Sequence, residues 1–337
     1  MSYKNGNMKT IELHENGLDI QFRIRENGVV ELADFSSQEV KKAAMEPKED
    51  IYYPAVEIHR SGTGSLNMHA YKNNINQSSV DFVYENHELK EQEGGKELEI
   101  VMVSPEKLKA VYHMRLFDGI PAVQTWTEIT NEGSEDQGLT HVSSFIYQGI
   151  SRGGEKPYYK KTDVYVPFNS WCCEAQWQKY DAETLNLNGM VVDGFNHQGY
   201  GLNRYCYSGK GTWSTCEYLP MGIAEDRETG ETYIFQVESS GQWLVEYGSA
   251  QGGNLYLTLS GATEQEHGWY KNLKPGESFT TVPAGAAVVK GGLNPAVAAL
   301  TRYRRKVRRV NPDDEKLNVV FNDYMNCLMG DPTTERE

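Results

Sequence analysis

The chain has 337 residues, with 33 Lys and Arg against 47 Asp and Glu and a formal net charge of −14. That balance excludes a nucleic-acid binder, whose surface needs clustered cations to displace the counterions of a phosphate backbone. The 39% hydrophobic content is enough for a real core, and no run of about 18 apolar residues is present to span a membrane, so a soluble protein without a membrane partner is expected.

Residues 1–7 are polar and read as no secretion signal. Cys172, Cys173, Cys206, Cys216 and Cys327 are an odd number, which with that start predicts a reduced, cytoplasmic protein. Cys172 and Cys173 are adjacent, and Cys206 and Cys216 have no histidine at ligand spacing. Structural thiols, no metal site and no cofactor are therefore expected.

From Thr10 to about Lys290 short β-type runs alternate with turn residues, the pattern of a sandwich or barrel. Strands are expected at residues 18–24, 51–59, 98–103, 108–116, 122–129, 232–237 and 255–259. Alternation within 122–129 puts Val123, Thr125, Thr127 and Ile129 on one face, predicted to be buried. Glu26-Asn27-Gly28, Asn131-Glu132-Gly133, Glu228-Thr229-Gly230 and Gly252-Gly253-Asn254 read as turns in which glycine supplies a positive φ. The pattern predicts a mainly β fold: one very large domain, residues 1–293, of two packed sheets extending beyond an ordinary sandwich.

The pattern changes at Asn294, which reads as an N-cap with Pro295 at the first helical position. Ala296, Leu300, Tyr303, Val307 and Val310 recur as one helical stripe. Arg302, Arg304, Arg305, Lys306, Arg308 and Arg309 lie opposite. On so acidic a chain these cations predict a linker helix, residues 294–315, docked on an acidic surface of the same protein. Asn311-Pro312 is expected to stop it. Residues 317–321 then read as an apolar strand buried on both faces, the type found in parallel sheets. One such strand cannot make a sheet, so residues 316–337 are expected to be the start of a further α/β domain.

Nucleophile and phosphate motifs are missing or incomplete. Gly209-Lys210-Gly211 lacks the upstream glycine of a P-loop, Gly62-Thr63-Gly64 lacks the third glycine of a dinucleotide fingerprint, and both read as turns. The 8 histidines are dispersed, and a lone strand histidine is more often hydrogen-bonded than a ligand. Hydrolysing a glycosidic bond needs two carboxylates held at fixed separation across it, and no spacing in the β region singles out such a pair. Tryptophan and tyrosine, 6 and 21 in number, recur at Trp171, Trp177, Trp213 and Trp269-Tyr270. These fit either sugar-stacking surfaces or cross-strand filler.

Residues 211–222 (GTWSTCEYLPMG), 225–230 (EDRETG), 273–281 (LKPGESFTT), the helix over 296–305 and residues 321–335 (FNDYMNCLMGDPTTE) occur in that order. Together they resemble the N-terminal region of glycoside hydrolase family 36 α-galactosidases, over most of the chain and most densely after residue 160. The resemblance implies an N-terminal β-supersandwich, a linker helix and the first strand of a truncated (β/α)8 barrel. It also implies retaining cleavage of terminal α-galactosides such as melibiose and raffinose. In the family a nucleophilic Asp lies in a Lys-Trp-Asp type motif and an acid/base Asp beyond a Cys-Ser-Ser-Gly-Gly type motif. Neither motif occurs in these residues, so no catalytic residue is assigned and the chain alone is expected to be inactive.

Tyr324, just past residues 317–321, stands where other members carry a pocket Trp that contacts galactose. The resemblance implies a substrate contact there and at Asp323. Many members also carry a Gly-Thr-Gly-Asp-Phe-Arg loop that reaches into a neighbouring subunit's pocket. Here Gly62-Thr63-Gly64 continues as Ser65-Leu66-Asn67 without the charged residues, leaving Asn67 as that loop's substrate-binding candidate. The reading is a bracing and oligomerisation module of an α-galactosidase, a homo-oligomer whose partners in the intact enzyme are α-galactoside sugars. The alternative is a free-standing carbohydrate-binding or assembly module, and a third possibility is a structural β domain with no sugar affinity. Coding sequence for the two Asp motifs beyond residue 337 would separate the first two.

Overall fold

The computed structural model describes residues 8–49, 51–64, 72–188, 203–250 and 253–320. Its first strands are β1 (Lys9–Glu15), β2 (Leu18–Ile24), β3 (Val30–Ser37), β4 (Ile58–Arg60), β5 (Val83–Gln92), β6 (Gly95–Val103), β7 (Leu108–Phe117), β8 (Ile120–Asn131) and β9 (Gln137–Ile150). There follow β10 (Thr162–Ser170), β11 (Cys173–Asp181), β12 (Arg204–Gly209), β13 (Glu217–Tyr218), β14 (Met221–Asp226), β15 (Glu231–Val237) and β16 (Trp243–Ala250). The last strands are β17 (Asn254–Ser260), β18 (Lys271–Leu273), β19 (Ser278–Thr280) and β20 (Ala284–Lys290). Helices are α1 (Gln77–Asp81), α2 (Glu264–His267), α3 (Leu293–Val307) and α4 (Pro312–Lys316).

Among the described residues all strand pairs are antiparallel. They form three sheets: β1-β2-β3; an 11-stranded sheet ordered β11-β10-β14-β15-β20-β8-β7-β6-β5, with β13 on β10 and β19 on β8; and a 6-stranded sheet ordered β12-β16-β17-β9-β18, with β4 on β9. This is the mainly β, extended sandwich that the sequence predicts, with a third, 3-stranded sheet beside the two that were expected. In β8 the face Val123, Thr125, Thr127 and Ile129 is fully buried while Gln124, Trp126 and Glu128 are half-buried. Two hydroxyls on that face are satisfied by β9, Thr125 donating to the Ser144 carbonyl at 2.7 Å and Thr127 to that of Ser143 at 3.2 Å, so the polar atoms carry no burial penalty. Gly28 and Gly230 close their predicted turns at φ of 86° and 74°.

Phe35 of β3 marks where the sheets meet. Its ring lies 5.5 Å from Phe145 and 6.0 Å from Tyr147, both on β9, and 6.3 Å from Tyr233 on β15. Buried ions knit the same region: Arg152 pairs with Asp34 at 2.6 Å, and Lys42 pairs with Glu231. Burial outweighs these pairings, pushing the Asp34 carboxyl up and the Lys42 ammonium down.

Three predicted elements differ. Of residues 51–59 only the end joins a strand, β4. Pro54 offers no N–H to a ladder, and the segment instead follows β3 through single bonds, Leu32 N–H to the Tyr53 carbonyl at 3.2 Å and Ala55 N–H to that of Val30 at 2.9 Å. α3 begins a residue before the predicted cap, with the Gly292 carbonyl accepting from Ala296 at 3.3 Å, and ends at Val307, short of the exposed Val310. Ala296, Ala299, Leu300 and Tyr303 are its buried residues, so apolar packing, with one tyrosine hydroxyl, docks the helix, and the six cations are not buried.

The compact first unit ends at Tyr303 and a second begins at Arg304. In the second unit Asn311-Pro312 opens a helix: the Asn311 side chain caps α4 by accepting from the Asp313 N–H at 3.1 Å. Leu317 then turns left-handed, and residues 317–320 form no strand. Leu317, Val319 and Val320 are 83%, 100% and 84% exposed. The predicted buried strand is thus not formed at 317–320, and among the described residues no strand pairs with this segment; Phe321 lies outside the described residues.

Candidate functional site at the flanks of segment 65–71

Segment 65–71, which contains Asn67, lies outside the described residues, as do Asp323 and Tyr324. The flanks of that segment are described, and two fully buried glutamates hold them. Glu57, just before β4, accepts from the backbone N–H of Ile75 at 2.5 Å, from that of Asn76 at 3.1 Å and from the Ser79 hydroxyl at 2.7 Å. Ile75 has φ of 57°, a left-handed conformation costly for a β-branched residue unless its surroundings enforce it. The paired bonds to Glu57 are that enforcement. Asn76 then caps α1 by accepting from the Ser78 N–H at 3.0 Å, and the Gln77 N–H reaches across to the Gly64 carbonyl at 3.0 Å.

Glu246, in the middle of β16, grips the same flank from the sheet. It accepts from the Asn73 N–H at 2.7 Å and side-chain amide at 2.9 Å, from the Tyr256 hydroxyl at 2.6 Å and from Arg204 at 2.7 Å. Arg204 extends the cluster to Glu266 at 2.8 Å. Lys72 donates to the Ser249 carbonyl at 2.8 Å, and burial pushes its ammonium down to about 8 although Glu246 opposes the shift. Burial pushes the neighbouring Cys206 thiol up to about 11, which keeps it protonated and unreactive.

His59 and His141 stand opposite each other on β4 and β9, ring centroids 4.8 Å apart. Neither ring nitrogen of the fully buried His141 has a hydrogen-bond partner among the described residues, and burial holds its pKa well below the ordinary histidine value. His59 Nε2 lies 3.5 Å from Glu57.

Retaining glycosidases need two carboxylates about 5 Å apart with the scissile bond between them. Several buried acids are otherwise engaged: Glu57 and Glu246 hold the 72–76 flank, Glu31 pairs with Arg25 at 3.1 Å and with Arg23, and Asp226 pairs with Lys161 at 2.9 Å. Asp226 also shapes the 225–230 turn, accepting from the Glu228 N–H at 2.8 Å and the Thr229 N–H at 3.2 Å, an Asx-type turn. Its motif is therefore architectural. The tryptophans divide: Trp243 is fully buried, Trp269 packs on Phe279 at 5.2 Å, and Trp171 and Trp213 are 80% and 59% exposed. Sequence reasoning missed Glu57 and Glu246. The signal was there in part, a lone acid between apolar neighbours in Leu244-Val245-Glu246-Tyr247.

Solved structures similar to this chain include α-galactosidases of glycoside hydrolase family 36. Enzyme AgaB of Geobacillus stearothermophilus matches with a TM-score of 0.69 at 14% identity, over 94% of this chain and 45% of that one. A double variant of AgaA from the same organism, in complex with raffinose, matches at 0.66 and 15% identity, over 89% and 44%. The α-galactosidase of Lactobacillus brevis matches at 0.63 and 14% identity, over 88% and 42%. No family model matches the chain, and no curated protein sequence matches it. At these identities the likeness is one of fold, and the chain spans less than half the length of each of these enzymes. No helix among the described residues is long and apolar enough to cross a membrane.

Proposed function

We propose that this chain is the non-catalytic β-domain portion of a cytoplasmic α-galactosidase that acts on terminal α-galactosides such as melibiose and raffinose. In that reading it braces a catalytic barrel and mediates homo-oligomer contacts, while both catalytic aspartates lie outside it. The observation that carries the proposal is the fold match over 88–94% of the chain, joined to the ordered motifs of the sequence. The doubly anchored flanks support a presenting role for segment 65–71, with Asn67 reaching a substrate pocket; Asp323 and Tyr324 are the companion contacts. The test is Asn67→Ala and Tyr324→Phe in the chain extended through a full barrel. Loss of a substrate contact raises KM for raffinose about tenfold for each ~1.4 kcal/mol removed; unchanged kinetics in both variants contradict the assignment.

The exposure of Trp171 and Trp213 favours a second reading, a carbohydrate-binding module, because an exposed indole can stack on a sugar ring. Saturable quenching of tryptophan fluorescence by raffinose, lost in Trp171→Ala and Trp213→Ala, would select it.

A further inference from the structure

The polar face of β5–β8, apart from the flanks described above, holds a second cluster. Glu97 and Glu99 are two residues apart on β6 and so share a face. His113 of β7 stands opposite Glu99, and Trp126 of β8 stands opposite His113. The His113 imidazole stacks on the Trp126 indole, centroids 4.7 Å apart and planes within 7°, which fixes the plane of the ring. Its Nδ1 faces Glu97 Oε1 at 3.0 Å and Glu99 Oε1 at 3.8 Å.

The outer oxygens of both carboxylates are held by other side chains. Gln92 donates to Glu97 Oε2 at 2.8 Å, and Lys90 pairs with Glu99 Oε2 at 2.6 Å. Each carboxylate is thereby turned so that its remaining oxygen points at the imidazole, and one ligand atom from each of the three residues lies within 4.8 Å of the others.

We propose that Glu97, Glu99 and His113 bind one divalent transition-metal ion of the zinc type, with water completing the coordination. Zinc bonds of about 2.0–2.2 Å place ligand atoms of one ion roughly 3–4 Å apart, and the two measured spacings fall in that range. An imidazole with two carboxylates selects a zinc-like ion over calcium or magnesium, which take oxygen ligands. Gln92 and Lys90 do for the carboxylates what outer partners do in metal sites: they orient the ligand and set which atom binds. Sequence spacing did not reveal the site because its ligands come from two strands and meet only through sheet register. The rival is a plain ion pair, with a protonated His113 donating to Glu97.

The experiment uses the full chain freed of metal by chelation, titrated with Zn²⁺ by calorimetry and with Co²⁺ by visible absorption. The site predicts one ion per chain, Co²⁺ bands in the visible, and a melting temperature that rises with Zn²⁺. Glu97→Gln, Glu99→Gln and His113→Gln are each expected to weaken Zn²⁺ by about tenfold or more, with native circular dichroism showing that the sheet is intact. A double Cys172→Ser, Cys173→Ser variant is expected to bind like the parent. No saturable binding at millimolar Zn²⁺ would leave the ion pair as the whole account and overturn the proposal. Binding that survives the three site variants would overturn it too, placing the ion elsewhere.

Discussion

Tyr303 of α3 lies so close over Gly285 of β20 that a Cβ added to Gly285 would come within 2.4 Å of the tyrosine ring. The hydroxyl beyond that ring donates to Glu238 at 2.5 Å, and Phe117 meets the ring edge-on at 5.4 Å. Glycine is required at 285 for space, and the helix is held by a ring and one charged hydrogen bond.

Gly285→Ala is therefore expected to destabilise the domain by about 1–3 kcal/mol, the usual cost of overpacking. Tyr303→Phe keeps the ring and loses the bond, at about 1.5–3 kcal/mol for a charged acceptor. Urea unfolding midpoints measure both, and a neutral Gly285→Ala would show that the helix does not dock this way.

Glu246→Ala removes the acceptor shared by Asn73, Tyr256 and Arg204 in a fully buried setting. Breaking such a charged network costs about 3–5 kcal/mol. Glu246→Gln, which keeps the size and one acceptor oxygen, is expected to cost less. Limited proteolysis within residues 61–76 should accelerate in Glu246→Ala; unchanged cleavage there would argue that Glu246 does not hold the flank.

His141 is buried neutral with its pKa depressed by burial, whereas in the unfolded chain it titrates near 6.5. As pH falls below about 6.5 the unfolded state takes up a proton that the folded state refuses, so stability drops by up to about 1.4 kcal/mol per pH unit. Above that pH the effect is flat. His267, also lowered chiefly by burial, acts in the same direction. The difference between the parent and His141→Leu, followed by chemical denaturation from pH 7.5 to 5, isolates the effect; parallel stability curves would contradict it.

Exposed and buried tryptophans are expected to separate cleanly. Trp171→Ala should change stability by no more than about 0.5 kcal/mol. Trp243→Ala should cost about 3–5 kcal/mol, since Trp243 is fully buried and its indole N–H donates to the Ser214 carbonyl at 2.6 Å. Thermal melts of the two variants check the contrast.

Much of the β domain was legible because alternation and glycine turns are local signals. β2 has the predicted bounds, and β8 buries the predicted face. What escaped depends on distant partners. Residues 51–57 read as strand by composition, yet Pro54 and the side chain of Glu31, which accepts from the Tyr53 N–H at 3.1 Å, replace a ladder. Residues 317–320 read as a buried strand, and that reading was about a neighbour the described chain does not hold. For the site, Asn67, Asp323 and Tyr324 came from resemblance alone, whereas Glu57 and Glu246 matter through tertiary hydrogen bonds that no spacing announces. The dispersed histidines likewise concealed two pairings, His59 with His141 and His113 with Glu97.

The most direct test of the central claim is initial-rate hydrolysis of a chromogenic α-galactoside by the purified chain, beside the same chain extended through a full catalytic barrel. Activity in the extended protein alone is the predicted result and places the chemistry outside these 337 residues. Hydrolysis by the short chain, abolished when one of its own carboxylates is replaced, would mean that a catalytic pair lies within the β domain and would contradict the account.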